Sequence, residues 1–134
     1  MPKRVLVVED NPLSLELLTE LLEGEGHQVI AAITGAEALV IARAERPDLV
    51  LMDIQLPGID GLTVTRALRA GPETREIPIV GISAYALPDD TERALRAGCI
   101  DYLPKPLDMG RFLDLVATLL SEDHPSQRRT AEAR

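Results

Sequence analysis

Short apolar runs alternate along the chain with longer segments in which apolar residues recur every three or four positions. The apolar runs cover residues 5–8, 29–33, 49–52 and 79–82, and a short fifth strand is predicted over 100–103. A continuous run of this length, bounded by charged or turn residues, is typical of a strand that is buried on both faces. The pattern therefore predicts five strands.

The segments between the runs have helical spacing. Asn11 can cap the first helix and Pro12 suits its first turn. The apolar stripe of that helix then stops near Gly24 and Gly26, and its members are Leu15, Leu18 and Leu22, with Leu17 and Leu21. Four further helices are predicted over about 35–46, 61–70, 89–97 and 108–121, the last with Phe112, Leu115, Val116 and Leu119 on its inner face.

Five strands that alternate with five helices predict the α/β class, with a parallel sheet, right-handed crossovers and helices on both faces. The economical solution is a flavodoxin-like (βα)5 doubly wound sandwich with strand order 2-1-3-4-5. In such sheets the reactive crevice lies beyond the carboxyl ends of the strands. The side chains expected there are Glu9, Asp10, Asp53, Ser83 and Lys105.

Composition limits the function classes. The 134 residues are 46% hydrophobic, which suits one core, and the net charge of −8 argues against a nucleic acid partner. The lone Cys99 offers neither a disulfide framework nor metal-site spacing. The start of the chain has too few consecutive apolar residues for a signal peptide or a membrane span. We therefore expect a cytoplasmic protein without a membrane partner. Residues 122–134 are polar and aperiodic, which predicts a disordered tail after a folded domain over 1–121.

The predicted edge has a distinctive chemistry. Three carboxylates held together repel one another unless a cation or a proton relieves them. Oxygen ligands without His or Cys favour a hard ion, and so few carboxylates favour Mg²⁺. Taken singly, each of these residues is more typical of an ordinary structural role than of an active site. The pair Glu9 and Asp10 would form a turn or helix cap, Ser83 would cap a helix, and Lys105 would be a solvated surface charge. Their coincidence at one edge favours an active site in which Asp53 reacts.

Four segments carry a family resemblance: VVEDN at 7–11, LMDIQLPGIDG at 51–61, ISA at 82–84 and YLPKP at 102–106. Together they resemble the receiver domain of two-component response regulators, over residues 3 to about 121. The resemblance implies that Asp53 accepts a phosphoryl group from a histidine kinase or histidine phosphotransferase. It also implies that Asp10, Asp53 and the backbone carbonyl of Gln55 bind Mg²⁺, with Glu9 acting through water.

The resemblance further implies how the protein responds to phosphorylation of Asp53. Ser83 and Lys105 would contact the phosphoryl group, Tyr102 would turn inward, and the face made by helix 4, strand 5 and helix 5 would change. Gln55 and Tyr85 match positions that tune the lifetime of the acyl phosphate, and the bond before Pro106 is expected to be cis. Such a protein is a phosphoacceptor, not an enzyme in the usual sense, although it assists its own phosphorylation and dephosphorylation.

With no output domain expected after Ser121, the chain would act as a monomer or weak dimer on a downstream target protein. Its segments 9–15, 53–61 and 83–90 are similar to those of the stand-alone DivK-like regulators. A phosphorelay intermediate that passes the phosphoryl group to a histidine phosphotransferase is the alternative within the family.

Two hypotheses from different classes compete with a phosphorylated receiver. The first is a flavodoxin-like cofactor binder or small phosphatase, which is disfavoured because Glu9 and Asp10 would repel a phosphate after the first strand. The Asp-x-Asp pattern of such phosphatases is also absent, because Gln55 stands where the second aspartate would be. The second is an unphosphorylated interaction module, which is disfavoured because the acidic site is complete.

Overall fold

The computed structural model describes residues 3–84 and 88–121, and five strands alternate with five helices within them. The strands are β1 (Arg4–Val8), β2 (Gln28–Ala32), β3 (Leu49–Asp53), β4 (Ile79–Ser83) and β5 (Asp101–Pro104). The helices are α1 (Pro12–Gly24), α2 (Gly35–Glu45), α3 (Gly61–Ala70), α4 (Pro88–Ala97) and α5 (Met109–Leu120). The predicted alternation is confirmed. Tyr85 and the predicted tail over 122–134 lie outside the described residues.

The strands form one parallel sheet with the order β2-β1-β3-β4-β5. This is the predicted order, in which the chain moves outward from β1 in one direction and then crosses back to the other side. The point of reversal lies between β1 and β3, whose register pairs Val8 with Met52. Side chains that follow these two strands are therefore neighbours at the carboxyl edge.

Two helical layers cover the sheet. Along β1, Val5 and Val7 pack toward α1 and α5, whereas Leu6 and Val8 pack toward α2, α3 and α4. This alternation follows from the two-residue period of a strand. Since both faces are covered, the central strands β3 and β4 carry no polar side chain before their last residues, Asp53 and Ser83, and this explains the uninterrupted runs in the sequence.

Three details of the predicted elements are wrong, the first being the fifth strand, which is Asp101–Pro104 and not 100–103. The second strand is Gln28–Ala32, one residue earlier than the apolar run, because Gln28 pairs with Arg4 in the register with β1. Leu17 does not belong to the buried stripe of α1 but is 46% exposed. Leu18 and Leu22 share the face that meets the sheet, and a residue one position away points about 100° around the helix.

Polar caps begin the helices near the carboxyl edge. The Asn11 side chain accepts hydrogen bonds from the backbone N–H groups of Leu13 and Ser14 at the start of α1. Asp60 caps α3 by accepting from the N–H of Thr63. These bonds satisfy donors that a helix start leaves unpaired, so they fix where each loop ends. Within the described part of the chain, no helix has the length and apolar character needed to span a lipid bilayer.

Candidate functional site

Polar side chains from the ends of three strands, β1, β3 and β5, meet at the carboxyl edge of the sheet. Glu9 and Asp10 directly follow β1, and Asp53 ends β3. One carboxylate oxygen from each of these three residues lies within 4.8 Å of the other two. The structure thus brings together the three acidic residues that the sequence predicts at this edge.

Glu9 is the most enclosed member of the group, with 1% of its surface exposed. Its Oε1 atom accepts hydrogen bonds from the backbone N–H of Asn11 at 3.2 Å and from Lys105 Nζ at 3.2 Å. Its Oε2 atom accepts a second bond from Lys105 Nζ at 3.0 Å. The sequence indicates Asn11 only as a helix cap, so its backbone contact with Glu9 is an addition from the structure.

Asp53 is 5% exposed, and each of its carboxylate oxygens has a donor nearby. Oδ1 accepts a hydrogen bond from the backbone N–H of Gln55 at 2.9 Å, and Oδ2 lies 3.4 Å from Lys105 Nζ. Charge-assisted hydrogen bonds of this kind hold a carboxylate in one orientation. The side chain predicted to react is therefore fixed between its own loop and a cation.

Lys105 and Ser83 are joined through the backbone. The N–H of Lys105 donates to the carbonyl oxygen of Ser83 at 2.8 Å, and Ser83 itself is buried. The peptide bond between Lys105 and Pro106 is cis, as expected from the resemblance. The end of β4 and the loop after β5 therefore form one connected side of the site.

The electrostatics of the site follow from burial and from like charges placed close together. Burial raises the pKa of Glu9 to about 7, and the contact with Asp53 adds to this effect while Lys105 opposes it. Burial alone would lower the pKa of Lys105, but the hydrogen bond to Glu9 and the negative charges of Asp53 and Glu9 raise it. Lys105 therefore stays positively charged. A further cation bound beside the carboxylates would lower the repulsion between them.

The donor set suits a hard divalent ion. The grouped residues are all carboxylates, of which Glu9 and Asp53 are buried and Asp10 is exposed. Oxygen ligands in small number, with an open side toward solvent, are what Mg²⁺ uses when it keeps several waters. Residues of this kind fit Mg²⁺ better than they fit a softer metal.

The remaining predicted residues lie around this group. Gln55 follows Asp53 in the loop from β3 to α3, with its N–H on the Asp53 carboxylate. Tyr102 is on β5 and is 5% exposed, on the side of the sheet that α3 and α4 cover. This inward position is the one that the resemblance assigns to the phosphorylated form, and its coupling to phosphorylation stays a prediction.

Comparison with known proteins identifies the family. The model of the response regulator receiver domain matches residues 5–117. The chain belongs to this family. The match spans all ten elements of the fold except the first residue of β1 and the last residues of α5.

Individual relatives agree with the family assignment. The polar-differentiation response regulator DivK of Brucella anthropi is 43% identical over 122 residues, which are 91% of this chain and 99% of that protein. A putative response regulator from Chloroflexus aurantiacus superposes with a TM-score of 0.86 and 33% identity, over 90% of this chain and 98% of the other. The receiver domain of a sensor histidine kinase from Pseudomonas aeruginosa gives a TM-score of 0.81 and 35% identity, over 87% and 96% of the two chains. That receiver was solved with a magnesium ion coordinated in its active site cleft.

Proposed function

We propose that this receiver accepts a phosphoryl group on Asp53 from a phosphohistidine of a histidine kinase or histidine phosphotransferase. One observation carries the proposal: the Asp53 carboxylate lies among the carboxylates of Glu9 and Asp10 and 3.4 Å from Lys105 Nζ. A nucleophilic carboxylate needs a way to approach a phosphoryl group that is itself negative. This arrangement can offset the charge of the phosphoryl group, because carboxylates that can bind a metal cation and the ammonium group of Lys105 both lie beside Asp53.

In the transfer, an oxygen of Asp53 forms a bond to phosphorus while the bond from phosphorus to the histidine nitrogen of the donor breaks. The electron pair of that bond stays on the imidazole, which leaves as the neutral side chain after taking up a proton. Lys105 Nζ lies on the Oδ2 side of Asp53 and would offset charge on the transferred oxygens. The product is an acyl phosphate on Asp53.

Asp10, Asp53 and the backbone carbonyl of Gln55 would hold Mg²⁺ directly, and Glu9 would act through water. When bound, the ion neutralises part of the charge of the phosphoryl oxygens. The support comes from the oxygen-only donor set and from the Pseudomonas relative, whose cleft coordinates magnesium. With Glu9 held by Lys105 at 3.0 Å, Asp10 is the carboxylate of the three most open to an ion from solvent.

Phosphorylation replaces the single negative charge of the Asp53 carboxylate by a phosphoryl group that carries about two negative charges. Ser83 would bond a phosphoryl oxygen and Lys105 would pair with the group, drawing the ends of β4 and β5 toward Asp53. Because the Lys105 N–H already bonds the Ser83 carbonyl, a shift of one strand end reaches the other. The output is a population shift in the surface made by α4, β5 and α5, with Tyr102 on β5 as its inner contact.

The folded domain over 1–121 would both accept the phosphoryl group and change the surface made by α4, β5 and α5. A downstream protein would bind at that surface. The similarity to DivK regulators supports a partner of this kind over a nucleic acid, as does the net charge of −8. Gln55 and Tyr85 would set how long the acyl phosphate survives.

The test is phosphorylation by acetyl phosphate with Mg²⁺, followed by intact-mass spectrometry. We expect the wild type and an Asp114→Asn control, altered at an exposed aspartate of α5, to gain one phosphoryl group. Asp53→Asn should gain none, and excess chelator should suppress the gain in the wild type. Uptake by Asp53→Asn would show that the nucleophile is another residue, and undiminished uptake in chelator would exclude the metal role.

A further inference from the structure

Two glycines that begin helices hold the loop between β3 and α3, which covers residues 54–60. Gly61 is the first residue of α3, and Gly35 is the first residue of α2. Both lie outside the left-handed backbone region, which among the described glycines is occupied by Gly26, Gly58 and Gly98. Space, not conformation, therefore selects glycine at positions 35 and 61.

Gly61 lies directly against the backbone of the proposed phosphoacceptor. A Cβ atom at this position would be 2.4 Å from the carbonyl oxygen of Asp53 and 2.7 Å from the Cα atom of Ile54. The Gly61 N–H also donates to the Ile54 carbonyl oxygen at 3.0 Å and so closes the loop. Because both close approaches are to main-chain atoms, a side chain at this position must displace the loop or the helix.

Gly35 holds the far end of the same loop from a different helix. A Cβ atom there would be 2.9 Å from the carbonyl oxygen of Ile59 and 2.8 Å from Cγ2 of Val64 on α3. The start of α2 therefore abuts the loop just before Asp60 caps α3. The loop is enclosed at both ends by residues that have no side chain to give way.

We propose that Gly35 and Gly61 are positioning residues for the magnesium site, a step that rests on the proposed function. The loop they enclose carries Gln55, whose N–H bonds the Asp53 carboxylate at 2.9 Å and whose carbonyl is a proposed ligand. A shift of the loop moves the carbonyl relative to Asp10 and Asp53. Groups that orient a metal ligand without touching the ion strongly affect metal affinity.

The chain offers a matched control. Gly110 is the second residue of α5, and a Cβ atom there would meet its nearest neighbour, Asp108 Oδ1, at an ordinary 3.5 Å. Alanine at such a helical site favours the helix over glycine. Gly110→Ala therefore reproduces the general effect of the substitution and leaves the loop alone.

The experiment measures Mg²⁺ affinity by isothermal titration calorimetry of the full chain, with folding checked by circular dichroism well below the melting temperature. We expect Gly61→Ala to bind Mg²⁺ about 10-fold more weakly than the wild type, as for other groups that orient metal ligands. Gly35→Ala should be weakened in the same direction, and Gly110→Ala should match the wild type. A purely structural role would lower the melting temperature and leave the affinity of the folded protein unchanged.

Wild-type affinity in folded Gly35→Ala or Gly61→Ala would overturn the proposal for that residue. If neither variant folds, Gly35→Ala/Val64→Ala replaces them, because it removes the conflict with Cγ2 of Val64 and keeps the one with the Ile59 carbonyl. Failure of the proposed function looks different: the wild type would not bind Mg²⁺, or Asp10→Ala would bind it equally well.

Discussion

Lys105 and Glu9 form a two-point ion pair, with Nζ 3.2 Å from Oε1 and 3.0 Å from Oε2. The pair joins the end of β1 to the loop after β5 across most of the sequence. Glu9 is nearly inaccessible to solvent, so breaking the pair by removing one partner would leave a buried group without its main counter-charge. The same Nζ atom reaches Asp53, which makes Lys105 the resident cation of the site.

Lys105→Met should bind Mg²⁺ more tightly than the wild type when measured well above the pKa of Glu9. The substitution removes a positive charge beside Asp53 and Glu9, and with it repulsion of the incoming ion worth about 1 kcal/mol in a solvent-screened site. Calorimetric titration measures the change. Lys3→Met is the control, because Lys3 precedes β1 at the opposite edge. Weaker binding by Lys105→Met would mean that Lys105 supports the ion site instead of competing with it.

Glu9 should make the stability of the metal-free protein depend on pH. Its pKa is raised from 4.5 to about 7 in the folded protein, so folding favours the protonated form. The stabilisation is fully present below pH 4.5 and is lost as the pH rises through about 7. A shift of this size corresponds to an upper limit of about 3 kcal/mol, which solvent screening on the open side of the site reduces.

Urea unfolding in chelator across this pH range tests that dependence. We expect the free energy of unfolding of Glu9→Gln to rise relative to the wild type as the pH increases, since glutamine cannot ionise. Glu16→Gln, altered at an exposed glutamate of α1, should follow the wild type. Parallel curves for Glu9→Gln and the wild type would show that the Glu9 carboxyl titrates normally.

The fold could be predicted from the sequence because the sheet is buried on both faces. Each central strand is then an uninterrupted apolar run, and the period changes visibly at every helix. The strand order further predicts Glu9, Asp53 and Lys105 at one edge, where the structure brings them together. Their roles in phosphoryl transfer stay predictions.

Specific contacts could not be predicted in this way. The sequence does not say that Lys105 bonds both oxygens of Glu9, because that depends on the path of the loop after β5. Nor does it show that Gly61 lies on the Asp53 carbonyl, since a glycine at a helix start is compatible with many loops. Hydrophobicity alone assigns Leu17 to the buried stripe, although one step around α1 suffices to expose it.

Ser83→Ala should be phosphorylated but should respond weakly, because the hydroxyl that would bond the phosphoryl group is gone. Hydrogen exchange of the peptide containing Tyr102, with and without acetyl phosphate and Mg²⁺, measures the response. Ser83→Thr keeps the hydroxyl and should retain most of the wild-type change. An equal change in Ser83→Ala and the wild type, at equal phosphorylation, would exclude the switch role of Ser83.

Arg69→Met should lower the free energy of unfolding by about 2 kcal/mol, since carbonyl groups lose a charged donor. The Arg69 guanidinium donates to the carbonyl oxygen of Gly98 at 2.9 Å through Nε, and to those of Arg75 at 2.9 Å and Ile77 at 2.6 Å through Nη1. Methionine keeps most of the apolar stem but none of the donors. Urea unfolding should show the loss, and Arg66→Met, altered at an exposed arginine of the same helix, should be close to the wild type.

The position of Arg69 predicts that it contributes to the stability of the fold but not to Mg²⁺ binding at the carboxylates. Ile77 precedes β4 and Gly98 precedes β5, so the guanidinium lies at the amino edge of the sheet, opposite the carboxylates. Burial lowers the pKa of Arg69, yet three carbonyl acceptors compensate for the desolvated charge. Folded Arg69→Met should therefore bind Mg²⁺ with wild-type affinity. A loss of affinity in parallel with stability would show that the two edges are coupled through α3, because α3 carries Arg69 near one end and begins at Gly61 at the other.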